Sequence, residues 1–286
     1  MPSYNRQRQT LAPRQRTQPL PGCPLQIVPE PPVPPAFPLL TIDVGNTHTD
    51  VALFEGTTLT SRWRWPTQAD AQAAQLERDW TQQIPDRQPG SLPAVLSTVV
   101  PALAAPYTSW WPGLHLVTPA DGDWGFVVAV PDPGQIGTDR LAACAGAVSL
   151  TGAPVIVLDS GTAATLSVID AQGRFIGGAI LPGLHTSLQG LVHAAPRLPA
   201  PDLHGPVDAL GQTTVEAVRF GTVRGHAGAM QAMIAAAHDH VGAAPVIATG
   251  GSMGLVASWI TGIDHVVPDL VLRGLAAVGR RRLGHG

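Results

Sequence analysis

Two short segments set an aspartate, a glycine and small hydroxyl or amide residues behind an apolar run. Leu39 to Thr49 reads L-L-T-I-D-V-G-N-T-H-T, and Val155 to Thr165 reads V-I-V-L-D-S-G-T-A-A-T. At a single offset of 116 residues, Asp43 falls on Asp159, Gly45 on Gly161 and Thr49 on Thr165. Each apolar run is expected to be a buried strand that delivers its aspartate to a turn. The glycine lets backbone N–H groups approach an anion, and an aspartate at a strand end can hold a cation or a water. Two such turns facing each other would grip the phosphates of a nucleotide from both sides. The first segment, Asp43 to Asp50, also fits an ordinary type I′ hairpin, where Asn or Asp beside Gly is common. Its duplication behind a second buried strand favours the phosphate reading.

Composition restricts how phosphate can be handled. The chain has 286 residues, a formal net charge of −3 and 17 basic side chains, every one an arginine. Without lysine it has no P-loop lysine, no strand lysine of the protein kinase kind and no amine for a pyridoxal imine. Backbone amides, hydroxyls, arginine and metal ions remain. The charge offers no basic field for nucleic acid or an anionic membrane, and no apolar run reaches the roughly 18 to 20 residues that span a bilayer. Cys23 and Cys144 cannot build a disulfide framework, which fits a reducing cytoplasm. His48, His185, His193, His204, His226, His238 and His240 show no metal-site spacing.

Positioning the two aspartate turns needs the rest of the chain. Residues 1–38, proline-rich with Arg6, Arg8, Arg14 and Arg16, read as a disordered extension or as upstream sequence admitted by a misplaced start codon. The duplication then suggests two halves, 39–150 and 151–286. In the first, strand hairpins lead to a helix over 69–83, a strand over 94–100 stopped by Pro101, and a strand over 114–118. Trp63, Trp65, Trp80, Trp110 and Trp111 read as core or covering residues, since they follow no single-strand-binding pattern. An alanine-rich helix over 138–150 is expected to pack tightly against a neighbouring helix or a second subunit. The second half repeats the strand and turn, with a hairpin at 170–173, a strand over 174–180 and a helix over 185–192. Helices over 215–225 and 227–241, a strand over 245–248, and helices over 252–259 and 270–282 follow. Hairpins leading into helices, twice over, indicate an α/β fold with two related halves.

Several segments stand in a telling order: D-V-G-N-T (Asp43 to Thr47), S-T-V-V-P (Ser97 to Pro101) and G-T-D-R (Gly137 to Arg140). D-S-G-T-A-A-T (Asp159 to Thr165), G-G-A-I-L-P-G (Gly177 to Gly183), T-T-V-E-A (Thr213 to Ala217), T-G-G (Thr249 to Gly251) and L-V-L-R-G-L (Leu270 to Leu275) complete the set. On these, residues 39–282 resemble type III pantothenate kinases, members of the acetate and sugar kinase, Hsp70 and actin superfamily. The resemblance implies two ribonuclease H-like domains with an ATP cleft between them. It implies ATP-dependent phosphorylation of pantothenate to 4′-phosphopantothenate, the first step of coenzyme A synthesis. It places ATP on Asp43, Val44, Gly45, Asn46, Thr47, His48, Thr49, Asp50 and Thr162, with Asp43 near Mg²⁺ through water. Asp159 would bind a monovalent cation, K⁺ or NH₄⁺. Asp139 matches the family's general base, and Gly137, Thr138 and Arg140 would line the substrate site, Arg140 pairing with the pantothenate carboxylate or a phosphate. Thr214 matches a threonine that contacts pantothenate in a pocket shared between subunits, which implies a homodimer. Gly250 and Gly251 would let the backbone approach adenosine.

Other readings of the same residues stay open. Thr138 and Asp139 suit a helix N-cap, Thr214 suits an N-cap before Val215, and Asp159 suits a cap on its own turn. Arg140 suits a surface ion pair. Two positions depart from the family pattern: Val130 stands where a pantothenate-contacting tyrosine is usual, and Ser167 where an aspartate is usual. The alternative functions are a non-catalytic regulatory protein that keeps the nucleotide fold, and a kinase of the same fold for another small hydroxylated acid.

Overall fold

Apolar runs broken by turn residues set the first sheet. In the computed structural model, which describes residues 37–121 and 123–284, β1 (Leu39–Val44) is buried apart from the partly exposed Asp43. It returns through Gly45, Asn46 and Thr47 into β2 (His48–Glu55), which pairs antiparallel with β3 (Thr58–Pro66). After α1 (Ala73–Gln83) come β4 (Ala94–Thr98), α2 (Pro101–Trp110) and β5 (Leu114–Leu116), both strands parallel to β1. The sheet order is β3-β2-β1-β4-β5. Most of the N-terminal segment 1–38 lies outside the described residues; of it only Phe37 and Pro38 fall within them.

Helix α2 is absent from the sequence reading, which took Pro101 only as the end of a strand. At the first helical position proline lacks only an N–H that would have no partner anyway, so the same residue stops β4 and opens α2. The five tryptophans are core or covering residues, as expected. Trp80 and Trp111 pack edge to face with centroids 4.7 Å apart, and Trp110 and Tyr107 complete the cluster under the sheet.

The second sheet repeats the first. β6 (Val127–Val128) and α3 (Thr138–Thr151) precede β7 (Val155–Ser160), β8 (Ala163–Ile169) and β9 (Arg174–Pro182). α4 (Leu184–Ala194), α5 (Thr214–Val241), β10 (Val246–Thr249), α6 (Met253–Val256), β11 (His265–Val266) and α7 (Leu270–Leu283) follow. The order is β11-β10-β7-β8-β9-β6, so β7 to β11 take the places of β1 to β5. α5 runs unbroken for 28 residues where two helices were expected. Interior glycines at 221 and 225 each disfavour helix by about 1 kcal/mol, yet Val218, Val223, Ala227, Met230 and Ile234 are buried on its inner face and hold it together.

The repeat differs at its turns. Gly45 N–H donates to His48 O at 3.0 Å, leaving Asn46 and Thr47 between them, whereas Gly161 N–H donates to Ala163 O at 3.0 Å with Thr162 alone between. The second turn is one residue shorter, so Asp43 pairs with Asp50 and Asp159 pairs with Thr165. The counterpart of Thr49 is therefore Ala164, not Thr165 as the constant offset had it. A one-residue slip reverses which face a strand residue occupies.

Between the sheets, α3 packs on β7 and β8, while α7 packs on β1, β2 and β4. The two helices cross at glycines. A Cβ on Gly146 would strike the Leu270 carbonyl, and one on Gly274 would strike the Ala142 carbonyl. The partner that the small residues of α3 call for is thus a helix of the same chain.

Candidate functional site

Both aspartate turns open into one cleft between the sheets. Its walls include Asp43, Gly45, Asn46, Thr47, His48 and Asp50 from the first hairpin, and Asp159, Gly161, Thr162 and Thr165 from the second. The turn tips meet: Thr47 Oγ1 lies 2.9 Å from Thr162 Oγ1. No residue other than glycine has a positive φ among those described, so Asn46 and Thr47 do not form a type I′ turn. The second turn is braced from behind, where Thr162 O accepts from Gly183 N–H at 3.0 Å and from the Thr186 hydroxyl at 2.7 Å.

Asp43 and Asp159 sit at corresponding strand ends, Asp43 beside Ser97 of β4 and Asp159 beside Thr249 of β10. Burial pushes the Asp43 carboxyl up to about 8, helped by the negative charges of Asp139, Asp50 and Asp159 and opposed by the Ser97 hydroxyl. Burial, then Asp139, pushes Asp159 up to about 7. Asp43 Oδ1 is buried and has no hydrogen-bond partner. A buried carboxyl oxygen left without a partner suits a cation or a cation-bound water, which would favour its ionised form. Among the described residues no three His, Cys, Asp or Glu side chains stand close enough to hold a metal ion together. Gly250, at φ 100°, brings the backbone against Asp159 and Ser160 where a Cβ would collide with both.

Asp139 lines the same cleft. It is the second residue of α3, whose N-cap is Gly137 without a side-chain cap, so neither Thr138 nor Asp139 is the capping residue. Asp139 Oδ1 instead accepts from Arg140 N–H at 2.8 Å, and burial raises its carboxyl above the usual range. Thr138 is buried and ties the helix start to the first sheet. It accepts from Ser97 Oγ at 2.9 Å and donates to Thr98 O at 3.3 Å.

Some expected site residues lie elsewhere. Val44 is buried in the core under the first sheet, and Thr49 is buried with its hydroxyl 3.0 Å from that of Thr67. Neither lines the cleft. Asp50 lines the cleft but is held by Arg62 at 2.8 Å. Arg140 is not a surface ion pair: its Nε donates to Ser167 Oγ at 3.2 Å, its Nη2 to Leu166 O at 3.3 Å, and it stands 5.7 Å from the Phe175 ring centroid. Val130 packs against the core between the sheets. Thr214 is exposed on α5 outside the cleft lining, and the N-cap is Thr213, in a reciprocal capping box with Glu216.

The sequence reading missed Arg62, Arg64 and Asp269, all of which line the cleft. The available signal was the R-W-R-W alternation of β3, which sends both arginines to one face.

The profile of the type III pantothenate kinase family matches residues 39–236. A type III pantothenate kinase of Acidiphilium cryptum is 37% identical over 254 residues, covering 85% of this chain and 94% of that one. One of Thermomicrobium roseum is 38% identical over 255 residues, covering 85% and 97%. Among solved structures, component A of the Acidaminococcus fermentans (R)-2-hydroxyglutaryl-CoA dehydratase superposes with a TM-score of 0.55 at 11% identity, covering 88% of this chain and all of that one. The activator of a Clostridium difficile 2-hydroxyisocaproyl-CoA dehydratase, solved with bound ADPNP, gives 0.52 at 11% identity, covering 86% and 95%. These likenesses assign the actin, Hsp70 and sugar kinase type of fold. With its paired aspartate turns, its G-T-D-R helix start and relatives matched over nearly their whole length, the chain belongs to the type III pantothenate kinase family.

Proposed function

We propose that the protein phosphorylates pantothenate on its primary hydroxyl at the expense of ATP, giving 4′-phosphopantothenate and ADP. The observation that carries this reading is the convergence of Asp43, Asp159, both turn tips and Asp139 on one cleft. ATP lies with its phosphates between the turns, where the amides of Asn46 and Thr47 and the hydroxyls of Thr47 and Thr162 donate to phosphate oxygens, while Gly45, its N–H tied to His48 O, leaves room for their approach. Gly250 and Gly251 give the adenosine side close access to backbone. Asp43 would hold Mg²⁺ through water and Asp159 a K⁺ or NH₄⁺ ion, and such ions neutralise charge on the phosphates.

Asp139 does the proton chemistry. Its carboxylate accepts the substrate hydroxyl proton while that oxygen bonds to the γ-phosphorus and the bond to the ADP oxygen breaks in line. In a loose transition state the base chiefly orients the hydroxyl. A carboxyl raised by burial is the better proton acceptor for this purpose. Arg140 is turned toward Ser167, which accepts a hydrogen bond but brings no charge. Its guanidinium therefore keeps a positive charge to pair with the pantothenate carboxylate.

The halves 39–150 and 151–286 would then act as the two walls of the nucleotide cleft, in a cytoplasmic enzyme that works as a homodimer. Support for the dimer comes from α5. Gly221, Gly225 and Gly228 face open space, and buried His226 Nε2 has no hydrogen-bond partner beside them. Glycines that weaken a helix are explained if another surface approaches closely there. Thr214, at the exposed start of the same helix, would reach substrate held by the partner copy. The deciding experiment is ADP release with and without pantothenate and K⁺. Pantothenate-independent or absent ADP release would sink the reading.

A further inference from the structure

Seven charged side chains line the cleft, and their balance is unusual for a site that takes a polyphosphate. Asp43, Asp50, Asp139, Asp159 and Asp269 are acidic, and only Arg62 and Arg64 are permanent cations. Asp269 is engaged outside the cleft by Arg273 at 2.9 Å. Arg62 and Arg64 stand two residues apart on β3, so both project from one face, while Trp63 and Trp65 between and beside them pack into the core under the sheet. Asp50 of β2 lies directly across from Arg64. Its two oxygens serve both arginines, Oδ1 accepting from Arg62 Nη2 at 2.8 Å and Oδ2 lying 3.7 Å from Arg64 Nε.

One carboxylate thus answers two guanidinium groups that are still about a third to a half exposed, at 32% and 46%. Exposed ion pairs of this kind add little stability. A guanidinium, however, offers a rigid fork of donors that matches phosphate oxygens in pairs. In a chain without lysine these are the side chains placed to meet a polyphosphate with fixed positive charge.

We propose that Arg62 and Arg64 bind the polyphosphate of the nucleotide, with Asp50 as their resting counter-ion, which the incoming phosphate replaces. The proposal rests on the nucleotide-cleft reading above and adds two phosphate ligands to it. Amide and hydroxyl donors of the turns hold the phosphate from the strand ends, and the arginines hold it from the face of β3.

Calorimetric titration of the full chain with ATP, AMP and inorganic tripolyphosphate, in the absence of pantothenate, tests it. Arg62→Gln and Arg64→Gln are each expected to weaken ATP and tripolyphosphate by at least about tenfold, the loss of one charge-assisted hydrogen bond. AMP affinity and the melting temperature should stay at wild-type values. Asp50→Asn, which removes the competing anion, should bind tripolyphosphate more tightly. Wild-type affinity for ATP and tripolyphosphate in both arginine variants overturns the proposal, and so does weaker binding in Asp50→Asn. A parallel ADP-release assay separates the two claims. Weakened polyphosphate binding in the variants supports the arginine pair even if pantothenate is not phosphorylated. Normal binding with normal turnover removes the pair and leaves the kinase. Failure of the wild-type chain to bind ATP removes both.

Discussion

The hydroxyls of Thr47 and Thr162 touch at 2.9 Å across the cleft, although 115 residues separate them in sequence. Each belongs to a different sheet, so this contact records that the two turns face one another. A phosphate group that parts them would take a hydrogen bond from each. Thr162→Val removes one donor while keeping the shape of the turn. We expect the KM for ATP to rise about tenfold, with the KM for pantothenate and the melting temperature unchanged. Steady-state kinetics decide it: an unaltered KM for ATP would take the second turn out of the phosphate site.

Asp139→Asn should lower kcat by about 10² to 10⁴, the usual worth of a general base, while ATP still binds. Because burial raises the native carboxyl, the neutral amide should not lower the melting temperature. Gly137→Ala reaches the same group by another route, since a methyl there would collide with the Asp139 carboxylate. Its kcat should fall with ATP affinity retained, and single-turnover measurements separate the two quantities.

Asp43 and Asp159 have native carboxyls raised above their unfolded value of 3.8, to about 8 and about 7. Between those limits the native state binds more protons than the unfolded state, so stability falls as pH rises. Without ions or nucleotide, the contribution of these two groups to the melting temperature should therefore be complete below about pH 4 and be lost progressively up to about pH 8. Cations prefer the ionised carboxylates, so added Mg²⁺ or K⁺ should raise the melting temperature more at pH 8.5 than at pH 6. Thermal scans at both values check the sign. In Asp159→Asn any K⁺ activation of turnover should vanish; full activation would assign the ion elsewhere.

Gly274→Ala places a methyl against the Ala142 carbonyl at the crossing of α3 and α7. Overpacking of a close contact costs about 1–3 kcal/mol, and chemical denaturation should show a lower midpoint by that amount. Since α7 lies on the first sheet and α3 on the second, separation there should also loosen the cleft and raise the KM for ATP. A variant as stable as wild type would show that the crossing tolerates more space than the backbone contacts indicate.

The paired strands and their aspartates were legible because a buried strand ending in Asp-x-Gly leaves a local mark: an apolar run, then residues suited to a turn. Asp139 was placed by the same local signs at the start of an alanine-rich helix, whereas its role as base came only from the resemblance. Helix α2 was illegible because Pro101 and Pro106 mask it, and α5, read as two helices, is held in one piece by burial of its inner face. The equivalence of Thr49 and Thr165 failed for a different reason. Identity at a constant offset says nothing about a turn that is shorter by one residue, and only pairing across the ladder shows the slip.

Sequence by itself determined the α/β class, the twin aspartate turns, the lysine-free chemistry and the helix that Asp139 opens, because each depends on neighbours along the chain. The tertiary structure decided what depends on neighbours in space. It brought Thr47 to Thr162, turned Arg140 toward Ser167, matched Gly146 of α3 with Gly274 of α7, and put Arg62 and Arg64 over the cleft. Those outcomes follow from how two sheets and their crossing helices pack, a balance of many weak contacts that no single stretch of residues encodes.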